Sequence, residues 1–536
     1  MKNSKLFNLS VSHTSFTLIF TTLLYVIYNA LNFDKIAKWF YLGDSIEYSA
    51  LIAYLAVGLC LFMLFFVLLA HRWTIKPLAI VITILSAAAT YFISKYNVAI
   101  DRSMVMNTVY TDSTEVTGLL SVQMIPYVIF LMVLPVLAIL SVKITFKSPT
   151  KYLFSSAKLA ALAFVVGVSS LYLEFDSIHR AGNLSKKYIV HTLVPVNIIR
   201  SSISSVSRAI EPLYAKNMEE VEITGHVSSQ DDLVVVLAIG ETSRQKSFSL
   251  YGYDRKNTNP VLSKEEGLHL LNGIARKGTT LYALPEILEK NDIKLPAITS
   301  KLGIDTSCYV NYSLYDNCAS VGEIKVSNCK YGDDCYDEDV LPLLDNNLKS
   351  YTSGYRFVVL HLGGGSHGPS YSDRYPEEFQ QFKPMCFDAD VVNQCTIDQL
   401  YNSYDNTILY VDYVLGEIIN RLEQSAAPYV FMYLSDHGES LMENDRIFHG
   451  MPPGIPLPPE QAQIPLIVKS SVPISIVERE EYLQQDVYDT VLDLFSIESE
   501  GFDKEGSFIK KSSSGIKYVE TTEKDNEVVK ELETVN

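Results

Sequence analysis

Apolar residues crowd the first 175 positions of the chain and then thin into short, separated runs. Five long apolar stretches fall near 15–33, 47–70, 77–95, 122–145 and 156–175. Each reaches the roughly 20 residues that a helix needs to cross the hydrocarbon core of a bilayer. One such stretch could be a buried core helix, but five in succession predict a multi-span helical membrane domain over 1–175. The first is not read as a cleaved leader, because it is longer than a signal core, lacks an A-x-A-like exit and is followed by more spans. Over 176–221 apolar and basic positions alternate (IHRAGNLSKKYIVHTLVPVNIIRSSISSVSRAI), which predicts amphipathic segments on the membrane surface, with an ordinary linker as the alternative. Over 222–509 the rhythm changes to short apolar runs (LVVVLAIG, YRFVVLHLG, YVFMYLSD, IPLIV) separated by helical patterns such as LYNSYDNTILYVDYVLGEIINRLEQ. Strands alternating with helices predict an α/β domain on a largely parallel sheet covered on both faces. The tail, 510–536, opens with SSSG, turns acidic and predicts a mobile extension.

Charge orients this plan. Lys2 and Lys5 precede the first span, Arg72 and Lys76 lie in the second loop, and Lys143, Lys147 and Lys151 lie in the fourth. The first and third loops carry Asp34, Asp44, Asp101, Asp112 and Glu115. The positive-inside rule therefore places the N-terminus in the cytoplasm, and five crossings place everything after 175 outside it. The cysteines agree: Cys60 lies in the second span, whereas Cys308, Cys318, Cys329, Cys335, Cys386 and Cys395 all fall in the outer domain. An even number at short spacings is the disulfide distribution of an oxidising compartment. Sequence order suggests three local loops, 308 with 318, 329 with 335 and 386 with 395, among the fifteen pairings that six cysteines allow. A net charge of -17 without a basic cluster argues against nucleic-acid binding.

In a sheet of this kind ligands bind just beyond the carboxyl ends of the strands. There, LVVVLAIG leads into Glu241 and Thr242, YRFVVLHLGGG into Ser366 and His367, and YVFMYLS into Asp436, His437 and Glu439. A metal is the economical reason to gather Glu241, Asp436 and His437 on one rim. Two carboxylates and an imidazole with one position open suit catalytic zinc, whereas magnesium or manganese prefers an all-oxygen shell. A Ser or Thr hydroxyl at the open position would lose its proton near neutral pH. The segment ARKGTTLYALPEIL offers one at a loop that opens a helix, although a threonine there is commonly only an N-cap.

The five spans followed by IGETSR, FSLYGYDRKNTNP, GTTLYALP, GGGSHGPSYSDRYPEEFQQF, YDNTILYVDYVL, SDHGESLMEN and FHGMP resemble the phosphoethanolamine transferases that decorate lipopolysaccharide, including lipid A enzymes that confer polymyxin resistance. The third loop, MVMNTVYTDSTEV, is similar to the family's as well. The resemblance implies a sulfatase-like or alkaline-phosphatase-like outer domain, facing the periplasm of a bacterial inner membrane. It implies zinc on positions matching Glu241, Thr280, Asp436 and His437, with Thr280 as the nucleophile because it stands five residues before Pro285. His367 and His449 match histidines that handle the substrate phosphate, and Glu439 matches an acidic site residue. The implied partners are phosphatidylethanolamine as donor, lipopolysaccharide or lipid A as acceptor, and the membrane; the chain is read as a monomer. The expected reaction forms a phosphoethanolamine adduct on Thr280 and releases diacylglycerol. Transfer of phosphoethanolamine or glycerophosphate to another periplasmic glycan is the alternative. The chain departs from many members in placing Lys277 and Glu286 where a disulfide flanks the nucleophile, in a shorter GTT loop, and in lacking a clear counterpart of a donor-site lysine around 308–318. A sulfatase would carry a C/S-x-P-x-R motif, which is absent, and a receptor without catalysis would leave the converging ligands without purpose.

The topology is directly testable. A reporter fused after residue 175 should be active outside the cytoplasm, and one fused beside Lys147 should stay inside.

Overall fold

The computed structural model describes residues 10–110, 121–185, 188–215, 223–229, 231–311, 314–326, 336–363, 368, 371–388, 390–452, 455–499 and 502–511. The expected tail, 510–536, lies almost wholly outside the described residues, as do His367 and the Cys329 and Cys335 pair.

Among the described residues, four helices are long and apolar enough to span a bilayer: α2 (Tyr48–Leu69), α3 (Ile75–Tyr96), α4 (Met124–Ser141) and α5 (Pro149–Leu173). A fifth candidate, α1 (His13–Ala30), meets the test only together with Phe33–Phe40, to which it bends by 80°. The expected stretch 15–33 therefore runs across a break. There Asn29 turns inward, donating from its carboxamide to Tyr25 O and accepting from Val194 N, so the chain is tied to the segment after the spans instead of continuing straight. Local chemistry sets the other ends. Ser12 caps α1 by accepting from Ser15 N, and Asn97 ends α3 in the left-handed conformation, φ 53°, that asparagine tolerates at this position. Where α2 packs along α5, Gly167 permits the approach: a Cβ there would stand 3.0 Å from that of Cys60. Large apolar side chains such as Leu68, Phe130, Phe164 and Tyr172 point outward, as lipid-facing surfaces require. Beyond the spans, α6 (Phe175–Leu184) and α7 (Val196–Ala215) are amphipathic: Ile198, Ser201 and Ser205 are buried, whereas Phe175, Ile203 and Val206 are exposed.

The outer domain is built on eight strands: β1 (Leu233–Gly240), β2 (His269–Ile274), β3 (Asp305–Val310), β4 (Glu323–Lys325), β5 (Tyr355–His361), β6 (Tyr429–Ser435), β9 (Gln463–Ser470) and β10 (Tyr482–Leu483), while β7 (Ser440–Leu441) and β8 (Ile447–Phe448) form a separate two-stranded ribbon. The spatial order is β4-β3-β5-β1-β6-β9-β2-β10, and β9 alone runs against the rest. Central strands with no exposed face must be apolar at every position, and β1 and β6 are buried throughout. Their alternate residues feed two cores. Val234, Val236, Phe431 and Tyr433 face Tyr404, Ile408, Val411 and Leu415 of α9 (Ile397–Gln424). Val235, Leu237, Val430 and Met432 face α8 (Thr280–Leu288) and α10 (Asp486–Leu494) through Leu284, Ile287, Val487 and Val491. Helix α9 begins with a capping box in which Thr396 and Gln399 satisfy each other's backbone amides.

Two of the three expected disulfides are formed, Cys308–Cys318 and Cys386–Cys395, and the buried Cys60 is free. Each closes a short loop, ten and nine residues apart in sequence, so each should contribute about 2 to 3 kcal/mol by restricting the unfolded chain. Cys308→Ser should accordingly lower the amount of folded protein while leaving activity per folded molecule intact, as read by quantitative blotting against turnover.

Candidate active site

The three central strands β5, β1 and β6 are parallel and in near-level register, with His361 beside Ile239 and Ser435 beside Gly240. Their carboxyl ends therefore deliver His361, Glu241 and the pair Asp436 and His437 to one edge. Backbone bonds then lock the junction. Asp436 N donates to Gly240 O at 2.9 Å. Thr242, held left-handed at φ 52°, donates its amide to Asp436 Oδ1 at 3.0 Å, and His437 N donates to the same oxygen at 2.7 Å. Gln484 adds amide donors to the Ser435 and Asp436 carbonyls.

Glu241, Asp436 and His437 are buried, and among the described residues they form a group whose ligand atoms all lie within 4.8 Å of one another. This donor set could hold a metal ion. His437 Nδ1 lies 3.1 Å from Gly438 O, an acceptor, which places the ring proton there and the Nε2 lone pair on the opposite side. That lone pair faces Asp436 Oδ2 at 3.1 Å and Glu241 Oε1 at 3.7 Å. Asp436 Oδ2 has no hydrogen-bond donor among the described residues. Burial pushes the Asp436 carboxyl above its ordinary range, offset by the Thr242 amide and by the imidazoles of His361 and His449. Two carboxylates and an imidazole gathered at one buried point suit a positive ion held between them.

Thr280 stands at the mouth of this group. Its hydroxyl donates to the two Glu241 oxygens at 2.9 and 3.1 Å, and it is the first residue of α8. The capping position belongs to Thr279, which has extended backbone angles and no side-chain cap bond. The local arrangement thus separates the two threonines: Thr279 occupies the capping position, and Thr280 turns its hydroxyl to the Glu241 carboxylate. Where relatives are expected to carry a disulfide, Lys277 and Glu286 face each other as an ion pair at 3.4 Å. This pair is half exposed on the lysine side and so contributes little. Gly278 is required by crowding, since a Cβ would come within 2.8 Å of Leu457 Cδ2.

His449 lies across the rim with its ring 4.5 Å from that of His437. Its Nδ1 contacts Glu439 Oε2 at 2.8 Å, and Tyr371 donates to Glu439 Oε1 at 3.0 Å. Glu439 is fully buried and stands behind His449. Below it, the buried Arg244 pairs with Glu443 at 2.6 Å, stacks over Tyr401 and Tyr404 and reaches the Glu439 carbonyl. The membrane domain closes the other side. Tyr96, at the end of α3, packs on Phe448 with ring centroids 5.3 Å apart, Asn97 donates to Asp445 O at 3.2 Å, Arg446 stacks on Tyr188, and Arg102 lies over Tyr282 of α8.

Sequence reasoning passed over His361, Arg244 and Tyr371. His361 reads as the last residue of an apolar strand. The signal for it was chemical: a histidine inside a run otherwise composed of Val, Leu and Phe.

This geometry describes a sulfatase-type α/β domain with a possible metal-binding group at its strand ends, carried on membrane helices. Residues 234–497 match the family model "Sulfatase", and residues 58–210 match "Phosphoethanolamine transferase EptA/EptB". The phosphoethanolamine transferase EptA of Helicobacter pylori is 35% identical over 464 residues, covering 79% of this chain and 82% of that protein. The EptA of Escherichia coli is 32% identical over 471 residues, 80% of this chain and 84% of that one, and the phosphatidylethanolamine transferase Mcr-1 of E. coli is 27% identical, covering 90% and 94%. The integral membrane lipooligosaccharide phosphoethanolamine transferase A of Neisseria meningitidis superposes with a TM-score of 0.80 at 25% identity, over 93% of this chain and 98% of that one. The chain belongs to the phosphoethanolamine transferase family, and it is a multi-pass membrane protein.

If the buried group is a cation site, protein purified without chelator should carry about one divalent ion per chain, and Asp436→Ala should lose it, as measured by elemental analysis. Asp436→Ala chains that keep a full equivalent of metal would refute the assignment.

Proposed function

We propose that this chain transfers phosphoethanolamine from phosphatidylethanolamine to lipid A or another part of lipopolysaccharide, with zinc held by Glu241, Asp436, His437 and Thr280. The observation that carries the reading is the Thr280 hydroxyl, bonded to a ligand carboxylate at the mouth of a buried donor set. One imidazole and two carboxylates favour zinc over magnesium. Zinc, when bound there, would bring the threonine hydroxyl close to neutral acidity and offset charge on the phosphoryl oxygens.

In the first half-reaction Thr280 Oγ1 forms a bond to phosphorus while the bond from phosphorus to the diacylglycerol oxygen breaks. The Thr280 proton lies on the hydrogen bond to Glu241. The departing diacylglycerol oxygen takes a proton from His449, whose Nδ1 is engaged by Glu439 so that the ring is held in one orientation. In the second half-reaction an acceptor oxygen attacks the same phosphorus and its proton returns to His449, directly or through His367, while the bond from phosphorus to the Thr280 oxygen breaks and that oxygen takes back the proton held at Glu241. The N-terminus of α8 favours the negative charge that develops on the phosphoryl group. Both substrates are lipids, so confinement on membrane helices raises their effective concentration at the rim. In the proposed organisation 1–175 anchors the protein in the bacterial inner membrane, 176–221 lies on its outer surface, 222–509 is the periplasmic catalytic domain and 510–536 is an acidic tail.

Thr280→Ala should abolish headgroup transfer with the fold intact, Thr280→Ser should keep measurable turnover, and a cap alone would cost only about 1 kcal/mol of stability. Incubation with donor and no acceptor should leave a phosphoethanolamine adduct on the peptide 278–285, located on Thr280 by mass spectrometry. An adduct on Thr279, or full activity in Thr280→Ala, would overturn the assignment.

A further inference from the structure

His449 sits in backbone that nothing regular supports. The ribbon of β7 and β8 pairs Ser440 with Phe448 and ends there. Phe448 and Gly450, on either side of the histidine, are both left-handed, at φ 64° and 97°. A non-glycine residue in that region is strained and persists only where its surroundings hold it. Among the described residues one carboxamide bonds the backbone on both sides of His449. Gln461, 2% exposed, donates from Nε2 to Phe448 O at 3.2 Å and to Ser440 Oγ at 2.9 Å, and its Oε1 accepts from Gly450 N at 3.2 Å. One side chain therefore grips the carbonyl before His449 and the amide after it, standing in for the strand partner that the ribbon lacks. The same Oε1 lies against the nucleophile loop, 3.1 Å from where a Cβ on Gly278 would be. Gln461 is itself anchored, its carbonyl accepting from Gly438 N and its amide donating to Pro458 O, each at 2.9 Å. A buried amide is costly to desolvate unless its bonds are made, and here the bonds it makes at the rim converge on the segment that carries His449.

We infer that Gln461 is a positioning residue for transfer: it fixes the backbone of His449 so that the imidazole meets Glu439 on one side and the transferred group on the other. The inference rests on the proton-handling role proposed for His449. Displacing a proton-transfer group by a fraction of an ångström to one ångström lowers turnover by about 10- to 100-fold, without changing ground-state binding of the donor lipid.

The test uses the full-length protein in detergent or lipid discs, with Gln461→Met, which keeps volume and removes all three bonds, and Gln461→Glu, which keeps the acceptor and removes both donated bonds. In Gln461→Met, kcat for diacylglycerol release should fall about 10- to 100-fold while KM for phosphatidylethanolamine and bound zinc stay at native values. The double variant Gln461→Met/His449→Ala should be no slower than His449→Ala, because the two substitutions remove one function. Native turnover in Gln461→Met beside a slow His449→Ala would overturn the inference and leave the proposed function standing. A fully active His449→Ala would instead remove the proposed role of His449, and this inference with it. Loss of zinc in parallel with turnover, or a double variant slower than His449→Ala, would show that Gln461 acts elsewhere. If Gln461→Met fails to fold, Gln461→Glu takes the same measurements; a chain that folds with neither makes Gln461 a structural residue and overturns the inference.

Discussion

Mutual repulsion organises this protein's centre. Two carboxylates and an imidazole lone pair are directed at one another in a dry cleft, with His437 Nε2 only 3.1 Å from Asp436 Oδ2. Such a cluster suits a cation, and the surrounding backbone must hold its members together against their repulsion. The parallel strands provide that rigidity: β1 and β6 are buried on every side, and their ends are bolted by amides at Thr242 and His437 and by the Gln484 carboxamide. The remaining parts of the rim are arranged around this fixed point, with Thr280 hydrogen-bonded to Glu241 and the His449 ring tilted against that of His437.

Much of this was readable from residues alone because the governing forces are local. A run such as LVVVLAIG can lie only in the middle of a covered sheet, and the strand it forms covers the same eight positions, Leu233–Gly240. The strand-exit rule located Glu241, Asp436 and His437 for the same reason: parallel register aligns the ends of neighbouring strands without help from distant contacts. The family resemblance supplied Thr280, and the geometry adds why its neighbour differs, since Thr279 occupies the capping position. What was not readable depends on long-range packing. Nothing near Arg244 in the chain announces that it will be buried between Tyr401, Tyr404 and Glu443, and nothing near residue 31 reveals that Asn29 will bond to Val194 and bend the first helix away from Phe33–Phe40. The ion pair of Lys277 and Glu286 was legible as a departure from relatives, but only folding shows the two side chains meeting.

The junction between membrane helices and catalytic domain is built from specific contacts. Left-handed, non-glycine residues gather at Met442, Asn444, Asp445 and Phe448, and that irregular loop is held from one side by Arg244 through Glu443 and from the other by Asn97, Tyr188 and Tyr96. Arg102, just beyond the third span, meanwhile covers Tyr282 in the first turn of α8, the helix that Thr280 begins. Strain in the rim is thus supported jointly by both halves of the chain.

Tyr96 is the last residue of a candidate span and touches Phe448, the residue before His449, so the rim of the candidate site is tied directly to the end of a membrane helix. A soluble enzyme meets its substrate at any orientation. With the proposed function, a rim tied to a span would act as a ruler, favouring phosphorus and oxygen atoms at the level of the lipid headgroups over chemically identical groups on long stalks. Selection among acceptors would then depend less on the shape of a sugar than on how far from the membrane it is displayed.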